Sequence, residues 1–188
     1  MQENLIFTGF SGTGKSRVGQ IVADIQSVKF IDIDQSIVLK TGKTISEIFD
    51  SRGEQYFRSL ECQEIDIACS ESGIVISTGG GTIVDKRNYI TMKNSGVIVC
   101  LDAKPETIHK RLLKQKDNAK NQEVRPLLKG IDPLSTIRNL KQQREHYYDL
   151  ADFKIDTEKM STKQIALQAI KYWTVSYTHL TLPTSDLV

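Results

Sequence analysis

The sequence has no long apolar run, no excess of charge of either sign and no cysteines at metal-ligand spacing, and each absence closes a class of function. No stretch approaches the roughly 18 apolar residues that a membrane-spanning helix requires, so no membrane partner is expected. The formal net charge over 188 residues is +2. Basic residues are dispersed except between Lys110 and Lys120, where a solvated polar segment accounts for them, so nucleic acid is not an expected partner. Cys62, Cys69 and Cys100 are an odd number without a zinc or disulfide pattern, and read as reduced thiols of a cytoplasmic protein. An apolar strand is expected within about four residues of Met1, so no signal peptide is expected. What remains is a soluble chain of a length that suits one domain, large enough to bury a sheet on both faces.

Against these absences one feature stands out. Gly9 to Ser16 read GFSGTGKS and follow directly on the apolar run Leu5, Ile6, Phe7. This is G-x-x-x-x-G-K-S in the setting it requires, between a strand and a helix. Glycines let successive N–H groups turn inward around phosphate oxygens, and the helix that follows adds the positive end of its dipole. Gly12, Thr13, Gly14, Lys15 and Ser16 are therefore expected to bind a nucleoside triphosphate. Lys15 would reach the β- and γ-phosphates, and Ser16 would offer its hydroxyl to Mg2+.

Short apolar runs alternate with helical patterns along the rest of the chain. Strands are expected at Leu5–Thr8, Phe30–Asp32, Ile74–Ser77, Val97–Leu101 and Phe153–Ile155. Helices are expected at Lys15–Ile25, Glu54–Ser70, Lys86–Lys93, Pro105–Lys116, Leu134–Asp149 and Thr162–Trp173. Strands separated by helices imply right-handed crossovers, hence a three-layer α/β fold with a central five-stranded parallel sheet flanked by helices. Ligands in such sheets sit at the carboxyl ends of the strands.

Two of those ends carry unusual chemistry. Asp32-Ile33-Asp34 places two carboxylates at spacing two, one able to hold a Mg2+ water and the other to accept from a substrate hydroxyl. The plain alternative is that Asp34 caps a helix beginning at Gln35. After the third strand, Gly79-Gly80-Gly81 carries a backbone entropy cost that an ordinary strand exit does not need, and suggests something packed directly on the main chain. Arg58, near Phe57 and Glu61, reads either as a solvated helix charge or as a ligand contact. Lys114 to Gln122 cannot bury itself, and Arg125 beside Pro126 at its far edge suits a mobile lid, about 114–130, that swings a charge onto a transferring phosphate. Arg144 could equally complement the end of its helix.

Taken together, these pieces resemble the shikimate kinase family, of the nucleoside monophosphate kinase structural class, over Asn4 to Trp173. The resemblance rests on GFSGTGKS, Asp32-Ile-Asp34, Gly53-Glu54-x-x-Phe57-Arg58 with Glu61, Gly79-Gly80-Gly81, Arg125-Pro-Leu-Leu, and Arg144 followed three residues later by Tyr147. It implies a P-loop kinase fold, and ATP-dependent phosphorylation of the 3-hydroxyl of shikimate on the route to chorismate and the aromatic amino acids, with Mg2+ as cofactor. By the same resemblance Asp34, Lys15 and Arg125 are catalytic, and Asp32 joins Ser16 at the metal. Arg58 and Arg144 take the shikimate carboxylate, Phe57 supplies an apolar wall, and Gly79, Gly80 and Gly81 close over the substrate. Arg111 and Arg125 lie on the nucleotide side, although the stretch between them is longer than in compact members. Gln26-Ser27-Val28 is more polar than the family's usual turn.

Other readings stay open at this point: another small-molecule kinase of the same fold, such as a gluconate kinase, or a catalytically idle nucleotide-binding domain. The expected domain spans 1–174. From Val175 the sequence VSYTHLTLPTSDLV resembles the translation of a common DNA-library adapter, so 175–188 is expected to be a non-native tail that packs poorly. A buried Leu180 or Leu182 would count against that. No exposed leucine-rich stripe calls for a partner, and a monomer acting on ATP and shikimate is expected.

Overall fold

The computed structural model describes residues 3–118 and 132–180. Five strands, β1 (Asn4–Thr8), β2 (Phe30–Asp32), β3 (Val75–Ser77), β4 (Gly96–Asp102) and β5 (Phe153–Asp156), form one parallel sheet in the order β2-β3-β1-β4-β5. Seven helices flank it among the described residues: α1 (Lys15–Gln26), α2 (Ile33–Thr41), α3 (Ile45–Cys69), α4 (Lys86–Ser95), α5 (Pro105–Asn118), α6 (Pro133–Tyr148) and α7 (Thr162–Leu180).

The period of two along each strand divides the interior into two cores. Leu5 and Phe7 of β1, with Val97, Val99 and Leu101 of β4, pack with Val18 and Val22 of α1 and with Ile165, Ala169 and Trp173 of α7. The alternate residues Ile6, Ile76, Ile98 and Cys100 pack on the other face with Ile37, Ile65, Met92, Ile108 and Ile137 from α2 to α6. Burial of each Val, Leu, Ile, Phe or Met among them is worth about 1.5–3 kcal/mol, so both faces of the sheet must be covered, which is the three-layer arrangement expected.

The helix boundaries differ from the sequence reading in instructive places. α2 begins at Ile33, directly after β2, because the Asp32 carboxylate accepts from the Gln35 N–H and caps it. The cap is therefore Asp32 rather than Asp34, and Asp34 lies in the first helical turn. α3 begins nine residues before Glu54, with Thr44 and Glu47 forming a reciprocal capping box, and bends at Gly53 (φ 79°). The polar Gln26-Ser27-Val28 turn has Ser27 in the left-handed region (φ 54°) as the C-cap of α1. α7 continues through Thr174 to Leu180 rather than stopping near Trp173; the side chains beyond Val175, including Leu180 and Leu182, lie outside what the structure describes.

Candidate active site

The carboxyl ends of β1, β2 and β3 open into one cavity of about 780 Å³. The phosphate loop forms one part of its wall. Gly9, Gly12 and Gly14 all have positive φ, and Gly14 leads directly into α1. The Thr13 N–H and hydroxyl both donate to the Phe10 carbonyl, closing the turn at 3.3 and 2.8 Å. Lys15 is buried, and its ammonium donates to the carbonyls of Gly9 and Phe10 at 2.8 and 3.0 Å. Ser16 Oγ lies 3.5 Å from Ser77 Oγ, and Ser77 is the register partner of Asp32 in the neighbouring strand. Ser16, Asp32 and Asp34 all line the cavity.

The glycine run shows why that position excludes side chains. None of the three glycines has positive φ, so the requirement is close approach rather than a left-handed turn. A Cβ at Gly79 would stand 2.5 Å from Glu61 Oε1 and 3.0 Å from Asp34 Oδ1, one at Gly80 2.9 Å from the Ser11 nitrogen, and one at Gly81 2.8 Å from Arg58 Nη2. The run is thus pressed at once against α2, α3 and the phosphate loop.

Arg58 and Glu61 share a face of α3. Nη1 of Arg58 donates to Glu61 at 2.7 Å and Nη2 to Glu54 at 3.0 Å. The Thr82 hydroxyl donates to the other oxygen of Glu61. Burial pulls the Arg58 guanidinium down, but Glu61 and Glu54 outweigh it and hold the group above its ordinary range. Phe57, buried beside it, packs on Phe49 with ring centroids 4.9 Å apart.

Arg144 arrives from α6. That helix is capped by Asp132 and fastened to the sheet by Lys141, which bridges Asp102 of β4 and Glu145 at 3.1 Å each. Lys154 of β5 adds a second contact to Glu145. The Arg144 guanidinium sits 5.9 Å over the Phe10 ring, with Nη1 3.4 Å from the Gly80 carbonyl. Tyr148 donates to the same carbonyl at 2.7 Å. The tyrosine that shares the Gly80 carbonyl with Arg144 is Tyr148, one helical turn on, while the Tyr147 ring lies against His146.

Arg111 meets the loop from the other side, donating to the Thr13 carbonyl at 3.4 Å and to the hydroxyl and carbonyl of Thr157 at 2.9 and 3.1 Å. Arg125 and the part of the expected lid beyond Asn118 lie outside the described residues.

Of the expected residues, the cavity wall brings together Gly12, Gly14, Lys15, Ser16, Asp32, Asp34, Phe57, Arg58, Gly79, Gly80, Gly81 and Arg144. Sequence reasoning assigned nothing to Phe10, and quoted Glu61 without a role. Tyr148 was missed outright. The available signal was helical spacing: Tyr148 is four residues from Arg144 and Glu61 three from Arg58, each on one helix face.

A parallel sheet with a phosphate loop after its first strand, facing an acidic and arginine-rich second region, defines a P-loop kinase of the small-molecule class. A family model described as shikimate kinase matches residues 11–174. The chain is 38% identical over 169 residues to a shikimate kinase from Caldanaerobacter subterraneus subsp. tengcongensis, covering 90% of this chain and 95% of that protein. It is 40% identical over 163 residues to one from a Sulfurihydrogenibium species, covering 87% and 93%. The fold matches shikimate kinase from Acinetobacter baumannii, solved in complex with shikimate, with a TM-score of 0.85 at 29% identity over 94% and 95% of the two chains. The chain belongs to the shikimate kinase family. A gluconokinase from Sinorhizobium meliloti matches with a TM-score of 0.57 at 14% identity, over 95% of each chain, which is a likeness of fold alone.

Proposed function

We propose that the chain transfers the γ-phosphoryl group of ATP to the 3-hydroxyl of shikimate, giving shikimate 3-phosphate and ADP, a step toward chorismate and the aromatic amino acids. One observation carries the reading: a single cavity of about 780 Å³ is lined both by the phosphate loop and by Asp34, Arg58 and Arg144. A phosphate cradle beside two guanidinium groups suits a hydroxylated carboxylate as acceptor, because planar arginine forks match carboxylate oxygens. The shikimate bound to the Acinetobacter relative supports the same acceptor class here.

In this reading the loop N–H groups and the start of α1 receive the phosphates. Lys15 exchanges the carbonyls of Gly9 and Phe10 for phosphate oxygens, and Arg125 joins it on the transferring group. Arg111 stays on the adenine side, Arg58 and Arg144 take the carboxylate, Phe57 forms the apolar wall, and Gly80 donates from the glycine backbone. Asp34 accepts the hydroxyl proton as that oxygen attacks the γ-phosphorus. The new O–P bond forms while the bond to the β,γ-bridging oxygen breaks, and ADP leaves with the electron pair.

The donors near Ser16 fit Mg2+. It takes few protein oxygens and keeps waters and phosphate oxygens, and one hydroxyl and one carboxylate lining the same cavity meet that need without a larger acidic cluster. Ser16 and Asp32 would hold the ion. When bound it neutralises triphosphate charge. The reading further takes 1–174 as one domain with a lid at about 114–130, and 175–188 as a non-native tail. The family match ending at residue 174 supports that boundary. It also has the enzyme acting as a cytoplasmic monomer without nucleic-acid or membrane partners; no helix among the described residues is long and apolar enough to cross a membrane.

The test is ADP release in a coupled assay with shikimate, quinate, gluconate and AMP offered in turn. Shikimate alone is expected to give a strong rate. A shikimate rate no higher than the ATP-only background overturns the proposal, and a larger gluconate rate would replace it with a gluconate kinase.

A further inference from the structure

Tyr148 is 1% exposed and sits under the glycine run, behind the cavity wall rather than lining the cavity itself. A phenol is costly to bury without a partner, and this one spends its proton on the Gly80 carbonyl at 2.7 Å. The run it meets is three consecutive glycines, the backbone with the most freedom to reorient. Anchoring one carbonyl removes much of that freedom. The peptide unit is planar and trans, so fixing the Gly80 oxygen also fixes the opposite direction in which the Gly81 N–H points. Arg144 does not supply this anchor by itself, since its 3.4 Å contact to the same oxygen is long for a hydrogen bond. The loop side is already fixed by close packing of Gly80 on Ser11.

We infer that Tyr148 is a positioning residue for the acceptor end of the site: through the Gly80 carbonyl it holds the glycine backbone, beside the Arg144 guanidinium, in the arrangement that receives the acceptor. This role rests on the shikimate kinase reading above. It makes Tyr148 act on acceptor binding while leaving the nucleotide alone, because Lys15 and the loop glycines are held by Gly9, Phe10 and Thr13 rather than by the tyrosine. Burial also pushes the phenol well above its ordinary range, so the proton that makes the contact stays in place across the working pH.

The experiment is steady-state kinetics of Tyr148→Phe, which keeps the ring and removes one oxygen. The KM for shikimate is expected to rise about tenfold, the effect of one buried hydrogen bond. The KM for ATP and kcat should each stay within about twofold, since a merely structural lesion would move all three constants together. Tyr147→Phe, on another face of the helix, should leave every constant unchanged. Should Tyr148→Phe melt below the assay temperature, shikimate affinity is read instead by calorimetric titration in the cold, with the same tenfold loss expected. An unchanged shikimate constant, or equal rises for both substrates, overturns the role. Absence of any shikimate-dependent rate in the wild-type enzyme overturns the underlying reading, and is seen before a variant is made.

Discussion

Glu61 holds Arg58 on one side with a 2.7 Å hydrogen bond while Gly81 leaves space for the guanidinium on the other, where a Cβ would stand 2.8 Å from Nη2. Glu61 is fully buried, so its charge is matched by Arg58 on one oxygen and by the Thr82 hydroxyl on the other. A buried carboxylate of this kind is tolerated only when paired. These contacts hold the Arg58 guanidinium at the cavity wall, so binding has less of its orientation left to fix.

Arg58→Ala should therefore act on the acceptor. Losing one partner of a charged contact costs about 2–5 kcal/mol, so the KM for shikimate should rise at least about thirtyfold with the KM for ATP unchanged. Glu61→Gln keeps the shape but weakens the hold, and should give a smaller rise in the same constant. Initial rates against each substrate check both.

The positions of these residues show what the sequence could and could not reveal. The phosphate loop, the five strands and the glycine run were legible because each depends on local spacing: a strand of apolar residues, a fixed pattern of glycines, a helix start. The first turn of α2 was less so, because Asp32 ends a strand and caps a helix with the same residue. Tyr148 and Phe10 escaped for another reason. Their roles exist only where α6 crosses the loop, between residues far apart in the chain. For the glycine run the sequence suggested close packing but not its partners; these are Asp34, Glu61, Ser11 and Arg58, contributed by three different elements.

Asp34→Asn should separate chemistry from binding. The side chain, in the first turn of α2, lies beside Gly79 and lines the cavity. Removing a general base lowers kcat by about 10²–10⁴-fold. ADP affinity, measured by calorimetry, should remain close to that of the wild type. Unchanged turnover would remove Asp34 from the reaction.

Lys15→Ala should lose stabilisation of the transferring phosphoryl group, and kcat should fall by about 10²–10³-fold. The buried ammonium also ties the carbonyls of Gly9 and Phe10 together, so a lower melting temperature is expected as well. Full activity in this variant would be incompatible with a phosphate-loop kinase.

Gly80→Ala places a methyl 2.9 Å from the Ser11 nitrogen, against main chain that has no rotamer to move. Overpacking of this kind costs about 1–3 kcal/mol. Both the glycine run and the phosphate loop must shift, so the KM values for ATP and shikimate should rise together. That pattern differs from the acceptor-only effect at Arg58, and the same kinetic assay distinguishes them.

One cavity is expected to bring the γ-phosphate of ATP to the 3-hydroxyl of shikimate. Phosphorus and proton NMR of a reaction mixture containing enzyme, Mg2+, ATP and shikimate tests it directly. A single new phosphomonoester whose phosphorus couples to the proton on the carbon bearing the 3-hydroxyl, formed in equal amount with ADP, is the predicted result. No new phosphomonoester, or one coupled to a different ring proton, would contradict it.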